Sequence, residues 1–149
     1  MNTASLRFWS LWLQAAAGVV MALSAVLLLA PSLGLAIFSA VYFSQPEFPI
    51  SVPAPAAAYI RFMHGVLGAV MLGWMTAVLA LARGPFVAGK RCGWNTIAVS
   101  VSVWFLIDTS HSIWHSVWGN VGLNLVTTVL FAVPLIAARK HFTANQHLD

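Results

Sequence analysis

Four apolar runs, each about as long as the 20 residues a helix needs to cross a bilayer, take up more than half of this chain. They cover residues 8–30, 58–82, 93–117 and 121–138. Pro31 closes the first, Arg83-Gly84-Pro85 the second and Arg139-Lys140-His141 the fourth. Only a few residues around Gly119 and Asn120 join the third run to the fourth, so these two form a tight antiparallel hairpin. Of 149 residues, 60% are apolar and 7% charged, where a soluble domain carries about 25% charged residues. A soluble fold of this length has no way to hide that much apolar surface. The predicted class is therefore all-α: a polytopic membrane protein, an antiparallel bundle of four transmembrane helices forming a single domain over residues 1–149, with one long outer loop at 31–57.

The net charge of +4 does not point to nucleic acid, because of where the charges sit. Arg7, Arg83, Lys90, Arg91, Arg139 and Lys140 all flank apolar runs, which is the positive-inside pattern of a membrane protein. Those clusters agree on one orientation, with both termini cytoplasmic and the 31–57 loop outside. The expected location is a plasma-type membrane, the inner membrane of a bacterium. The first run is too long for the h-region of a signal peptide and is read as a retained span. The single cysteine, Cys92, excludes an internal disulfide.

The outer loop divides in two. Its first half, Leu33-Gly34-Leu35-Ala36-Ile37-Phe38 and on through Tyr42 and Phe43, is apolar and predicts a short helix in the interface. Its second half carries Pro46, Pro49, Pro53 and Pro55 and is expected to be stiff and extended. Together the halves are placed to roof the bundle.

Ionisable side chains inside a bilayer are costly and mark function. Asp108 is the only acid well inside a run, His64, His111 and His115 are the intramembrane histidines, and Arg61 stands near the outer start of the second run. At about 1.5 Å per residue, His64 and His111 lie at similar depth, roughly 9 Å below the outer ends of their helices, with Asp108 one turn deeper. Asn124 and Thr127 of the fourth run fall in the same layer. At 100° per residue, Trp104, Asp108, His111, Ser112 and His115 share one face of the third helix. These stripes predict a polar pocket near the outer surface, bounded by Trp104, Trp114 and Trp118. Interhelical hydrogen bonding of about 0.6 kcal/mol each accounts for the Asn and Thr residues. It does not offset an acid costing about 3 kcal/mol to bury.

Neutral imidazole ligates metals and haem iron. Gly65 and Gly68 follow His64, and their missing side chains make room either for a flat ring or for a neighbouring helix. A zinc site on Asp108, His111 and His115 competes, but ligands spread over two helical turns are wide for a metal held at about 2 Å.

The layout resembles the styrene oxide isomerase family of small four-helix membrane proteins. The resemblance rests on Arg61-Phe62-Met63-His64-Gly65 at the start of the second run, on Leu106-Ile107-Asp108 in the third, and on the long outer loop. The chain carries Ser112 and Ser116 where the family has an Asn and a Tyr. The resemblance implies a homotrimer binding haem b, with His64 as axial ligand, Asp108 in the pocket, and ferric iron acting as a Lewis acid on an epoxide.

Three functions follow as expectations. The first is a haem-dependent membrane enzyme acting on a small apolar substrate from the bilayer, with Asp108 orienting it and Arg61, Gly65 and Gly68 helping to hold the cofactor. The second is an electron-transfer module in which His64 and His111 clamp one haem. The third is a cofactor-free membrane subunit or carrier.

Overall fold

The computed structural model describes residues 3–43 and 53–143. The described residues are helical, and four of the helices are long and apolar enough to cross a membrane. In chain order, α1 spans Thr3–Leu29, α2 Pro31–Phe43, α3 Ala54–Leu81, α4 Arg91–Trp114, α5 Trp118–Ala138 and α6 Lys140–Thr143. The chain is thus an all-α integral membrane bundle, with α1, α3, α4 and α5 as the spans. The expected extended stretch with Glu47, Pro46 and Pro49 lies outside the described residues.

Proline and glycine set the punctuation. Pro31 cannot continue the hydrogen-bond ladder of α1 but suits the first turn of a new helix, so α2 starts at once. Pro53, at φ −54 and ψ 142, is extended and leads into α3, which has a second proline in its first turn. At the other end of α3, Pro85 lacks an N–H, and the backbone widens into a π-turn over Ala82–Phe86. Gly89, at φ 72, then reverses the chain. The α4–α5 hairpin turns on Ser116, a non-glycine at φ 57, with the Val117 N–H donating to the Ser112 carbonyl at 2.9 Å. This left-handed residue closing the last turn of a helix is the Schellman arrangement.

The basic residues beside the spans gather at one end of the bundle, here the basic end, and α2 covers the opposite, lid end. Packing is uneven between them. The apolar core fills the half nearer the basic end: Leu13, Ala17, Met75, Val78, Ile97 and Phe131, closed below by Phe86 and Phe142. Three side chains tie the helices here without exposing polar backbone. Ser10 donates to the Ala82 carbonyl at 2.7 Å, Trp94 to the Leu135 carbonyl at 2.8 Å and Trp12 to the Leu130 carbonyl at 2.9 Å. The outside of the bundle is apolar, with Leu29, Ile107 and Ile136 more than 60% exposed, as a lipid-facing surface requires.

The half nearer the lid end is held by backbone approach instead. A Cβ on Gly68 would stand 2.6 Å from the Ser24 carbonyl oxygen, so α1 and α3 meet backbone to backbone there. A Cβ on Gly34 would run into Leu27, and one on Gly119 would be driven into the Val41 carbonyl. Gly119 therefore seats the end of α2 on the start of α5. These contacts leave α2 as a lid, as its apolar sequence predicts.

Candidate functional site

Beneath the lid lies a cavity of about 520 Å³. The four spans and the lid all contribute to it: Val20 and Leu23 from α1, Phe38 and Tyr42 from α2, Leu67, Met71 and Trp74 from α3, Trp104 and Asp108 from α4, and Asn120, Asn124 and Thr127 from α5. Its walls are mostly apolar and its polar groups gather on the α4–α5 side. α3 and α4 scarcely touch one another. Leu67 and Val70 line the cavity yet stay 46% and 64% exposed. The gap between α3 and α4 is thus its open side, facing where lipid tails would be. Trp74 and Trp104, with ring centres 5.6 Å apart, meet across the gap and floor it toward the basic end.

Asp108 is the only acid among the described residues, and it is well held. Its Oδ2 accepts from the Asn124 amide at 2.9 Å and from the Asn120 amide at 3.3 Å. Asn124 is 2% exposed and also donates to the Thr109 hydroxyl at 3.2 Å. Asn120 also donates to the Ser112 hydroxyl at 2.6 Å, and that hydroxyl donates to the Asp108 carbonyl at 2.7 Å. Asn120 and Asn124 are one turn apart on α5, and Asp108, Thr109 and Ser112 share the facing edge of α4. The hairpin therefore brings five polar side chains into one network. Hydrogen bonds of this kind, partly out of water, fix the orientation of a carboxylate as well as offsetting its desolvation.

Tyr42 joins the site from the lid. Burial pushes its phenol well above the usual tyrosine range, and the negative charge of Asp108 pushes it further in the same direction. The phenol therefore keeps its proton throughout the physiological range and remains a hydrogen-bond donor. The sequence places Tyr42 on the apolar lid helix but offers no signal that pairs it with Asp108, because the two are distant in the chain.

The other expected site residues are distributed around this cavity rather than in it. His64 sits on the same face of α3 as Leu67 and Met71, one turn nearer the lid end, under the ring of Phe38 at 5.7 Å. Its Nδ1 is buried without a hydrogen bond; the Ile60 carbonyl one turn back interacts with the ring but falls short of bonding geometry. Gly68 faces α1 and is filled by it, which is the helix-packing alternative for that glycine. Gly65 does have open space, with nothing described within 4 Å of a Cβ, but it opens onto an outer groove. That groove is lined by Arg61, Phe62, Val66, Leu28 and Pro31. His111 and His115 are exposed, stacked on each other with ring centres 4.5 Å apart, so neither shares the cavity with Asp108. Trp104 lines the cavity as expected, whereas Trp114 and Trp118 are 85% and 65% exposed and do not bound it. Among the described residues, no three His, Cys, Asp or Glu side chains come together, so Asp108, His111 and His115 do not form the competing three-ligand zinc site.

The arrangement can bind a small apolar body against the walls and meet a polar group with Asp108 and Tyr42. That is the usual division of labour in a ligand pocket. Comparison of the sequence with protein-family models and with curated proteins, and of the fold with solved structures, yields no match.

Proposed function

We propose that this protein is a membrane enzyme that takes a small, mostly apolar molecule bearing one oxygen function from the bilayer and acts on that oxygen with Tyr42 and Asp108. The observation that carries this reading is the cavity, open toward lipid between α3 and α4, ending on an acid clamped by two amides. A carboxylate used only as glue has no need of a cavity beside it. A carrier has no need of a phenol and a carboxylate lining the same cavity.

Epoxide isomerisation suits these groups. Opening the ring puts negative charge on the oxygen and positive charge on the adjacent carbon. Tyr42 donates a hydrogen bond to the oxygen, and Asp108 stands as the counter-charge to the carbon. Migration of hydrogen to that carbon and closure of the carbonyl complete an isomerisation that adds and removes no atoms. The resemblance to styrene oxide isomerase supports the same reading. The chain has Ser112 and Ser116 after its α4 acid, but Asn120 and Asn124 from α5 and Tyr42 from α2 line the same cavity as that acid. The test is direct. Purified protein in detergent, given styrene oxide, should release the isomeric aldehyde, detected by gas chromatography. No aldehyde above the rate of detergent alone would overturn the epoxide reading.

A second reading, haem b on His64, is favoured by the orphaned, buried Nδ1. His64 would be the residue to hold it, but α1 fills the space at Gly68 and Gly65 opens onto the outer groove, so neither glycine leaves a cradle beside the ring. When bound, such a group supplies a Lewis acid. A Soret band in protein made with ample haem, lost in His64→Ala with membrane insertion unchanged, is the expected result of this reading. Haem retained in His64→Ala would remove the assignment, and cross-linking to a trimer would test the implied assembly.

The charge pattern favours an inner-membrane orientation with both termini and the basic end in the cytoplasm. A protease site placed between Pro49 and Pro53 should then be cut from outside in intact cells. Cutting only after lysis reverses the orientation.

A further inference from the structure

The two histidines that the cavity leaves out form a unit of their own. His111 and His115 lie four residues apart at the lid end of α4, where α4 finishes at Trp114 and His115 caps it. Both are exposed, and their rings are adjacent, with centres 4.5 Å apart and planes at 59°. Histidines at this spacing on one helix face are the chelating pair of many zinc sites.

The distance suits a shared metal. Zinc sits about 2 Å from an imidazole nitrogen, hence about 3.2 Å from the ring centre. Two such centres 4.5 Å apart subtend about 90° at the ion, within the range of tetrahedral or octahedral coordination. The ion can also reach the site. His115 lies at the helix end, and the exposed Trp114 and Trp118 beside it are the residue type that marks the membrane–water boundary. No buried network competes for either ring, because the polar groups of α4 that bond to α5, Asp108, Thr109 and Ser112, lie along the neighbouring edge.

We propose that His111 and His115 form a bidentate site for a divalent transition ion such as Zn²⁺ or Cu²⁺ at the lid end of the bundle, with water completing the coordination. Imidazole selects these ions over Mg²⁺ and Ca²⁺, which prefer oxygen. The site is separate from the Asp108 cavity and does not depend on the proposed reaction.

The experiment uses full-length protein in detergent, without a histidine tag and above neutral pH, where imidazole is unprotonated. Cu²⁺ is titrated by calorimetry and the complex examined by electron paramagnetic resonance. Wild-type protein should bind one ion per chain with two nitrogen ligands. His111→Ala and His115→Ala should each leave one nitrogen and weaken binding about 100-fold, since the second arm of a rigid chelate acts at high effective concentration. His111→Ala/His115→Ala should abolish the site, while His141→Ala, near the basic end, should not change it. His115→Ala with Trp114→His should restore part of the affinity, because three residues apart still shares the face. Binding in the double variant equal to wild type would overturn the proposal. So would a wild-type complex with a single nitrogen ligand, or wild-type protein that binds no Cu²⁺. Thermal melting of each variant separates loss of the site from loss of the fold.

Discussion

Asp108→Asn should leave the bundle folded and lower turnover of the epoxide probe by about 100-fold or more, the usual scale for a positioned acid–base or charge-stabilising group. The reasoning starts from the network. The Asn124 and Asn120 amides both donate to Asp108 Oδ2 at 2.9 and 3.3 Å, and an amide oxygen at position 108 still accepts them. What is lost is the charge, not the packing. Melting temperature in detergent should therefore move little while the rate falls. Asn124→Leu should do the reverse. It strips the shorter of the two amide bonds from a half-buried carboxylate, at about 1–3 kcal/mol for an acceptor left short of a partner. The fold should weaken together with the rate. Full activity in Asp108→Asn would make the carboxylate structural and remove it from the proposed reaction.

Gly119→Ala should unseat the lid. The added methyl would enter the Val41 carbonyl and crowd the Tyr42 backbone, and neither is the free end of a flexible side chain. Either α2 moves away or the start of α5 shifts, at about 2–3 kcal/mol for overpacking of this kind. Moving α2 withdraws Tyr42 and Phe38 from the cavity and uncovers Asp108. The expected phenotype is a lowered melting temperature together with a lowered rate. Fluorescence of Trp74 and Trp104, which floor the same cavity, should become more accessible to aqueous quenchers. A Gly119→Ala variant with wild-type stability and quenching would show that the seat of α2 lies elsewhere.

Much of this architecture is legible in the chain alone. Apolar runs of membrane length cannot be placed anywhere but in lipid, and prolines and basic residues mark their ends, so span boundaries agree with the helices to within a few residues at most ends. The apolar first half of the long loop reads as a helix, and Asp108, Asn124 and Thr127 read as one layer because depth follows from rise per residue.

Rotation about the helix axis is what the sequence leaves open. Asp108 and His111 differ by only about 60° around α4, so both belong to one stripe. Only the packing of α5 decides that the Asp108–Thr109–Ser112 edge turns inward and the His111–His115 edge outward. Gly68 has the same ambiguity: a gap for a ring and a seat for a helix look identical until α1 is seen to occupy it. Tyr42 reaches the cavity that Asp108 lines only because a glycine at 119 lets the lid end touch α5, and no periodicity along the chain encodes an approach between elements that far apart. Sequence periodicity determined which faces are polar and at what depth, because those follow from the fixed geometry of one helix. The partner of each face was decided by close approach between helices, because that depends on the side chains of two elements at once.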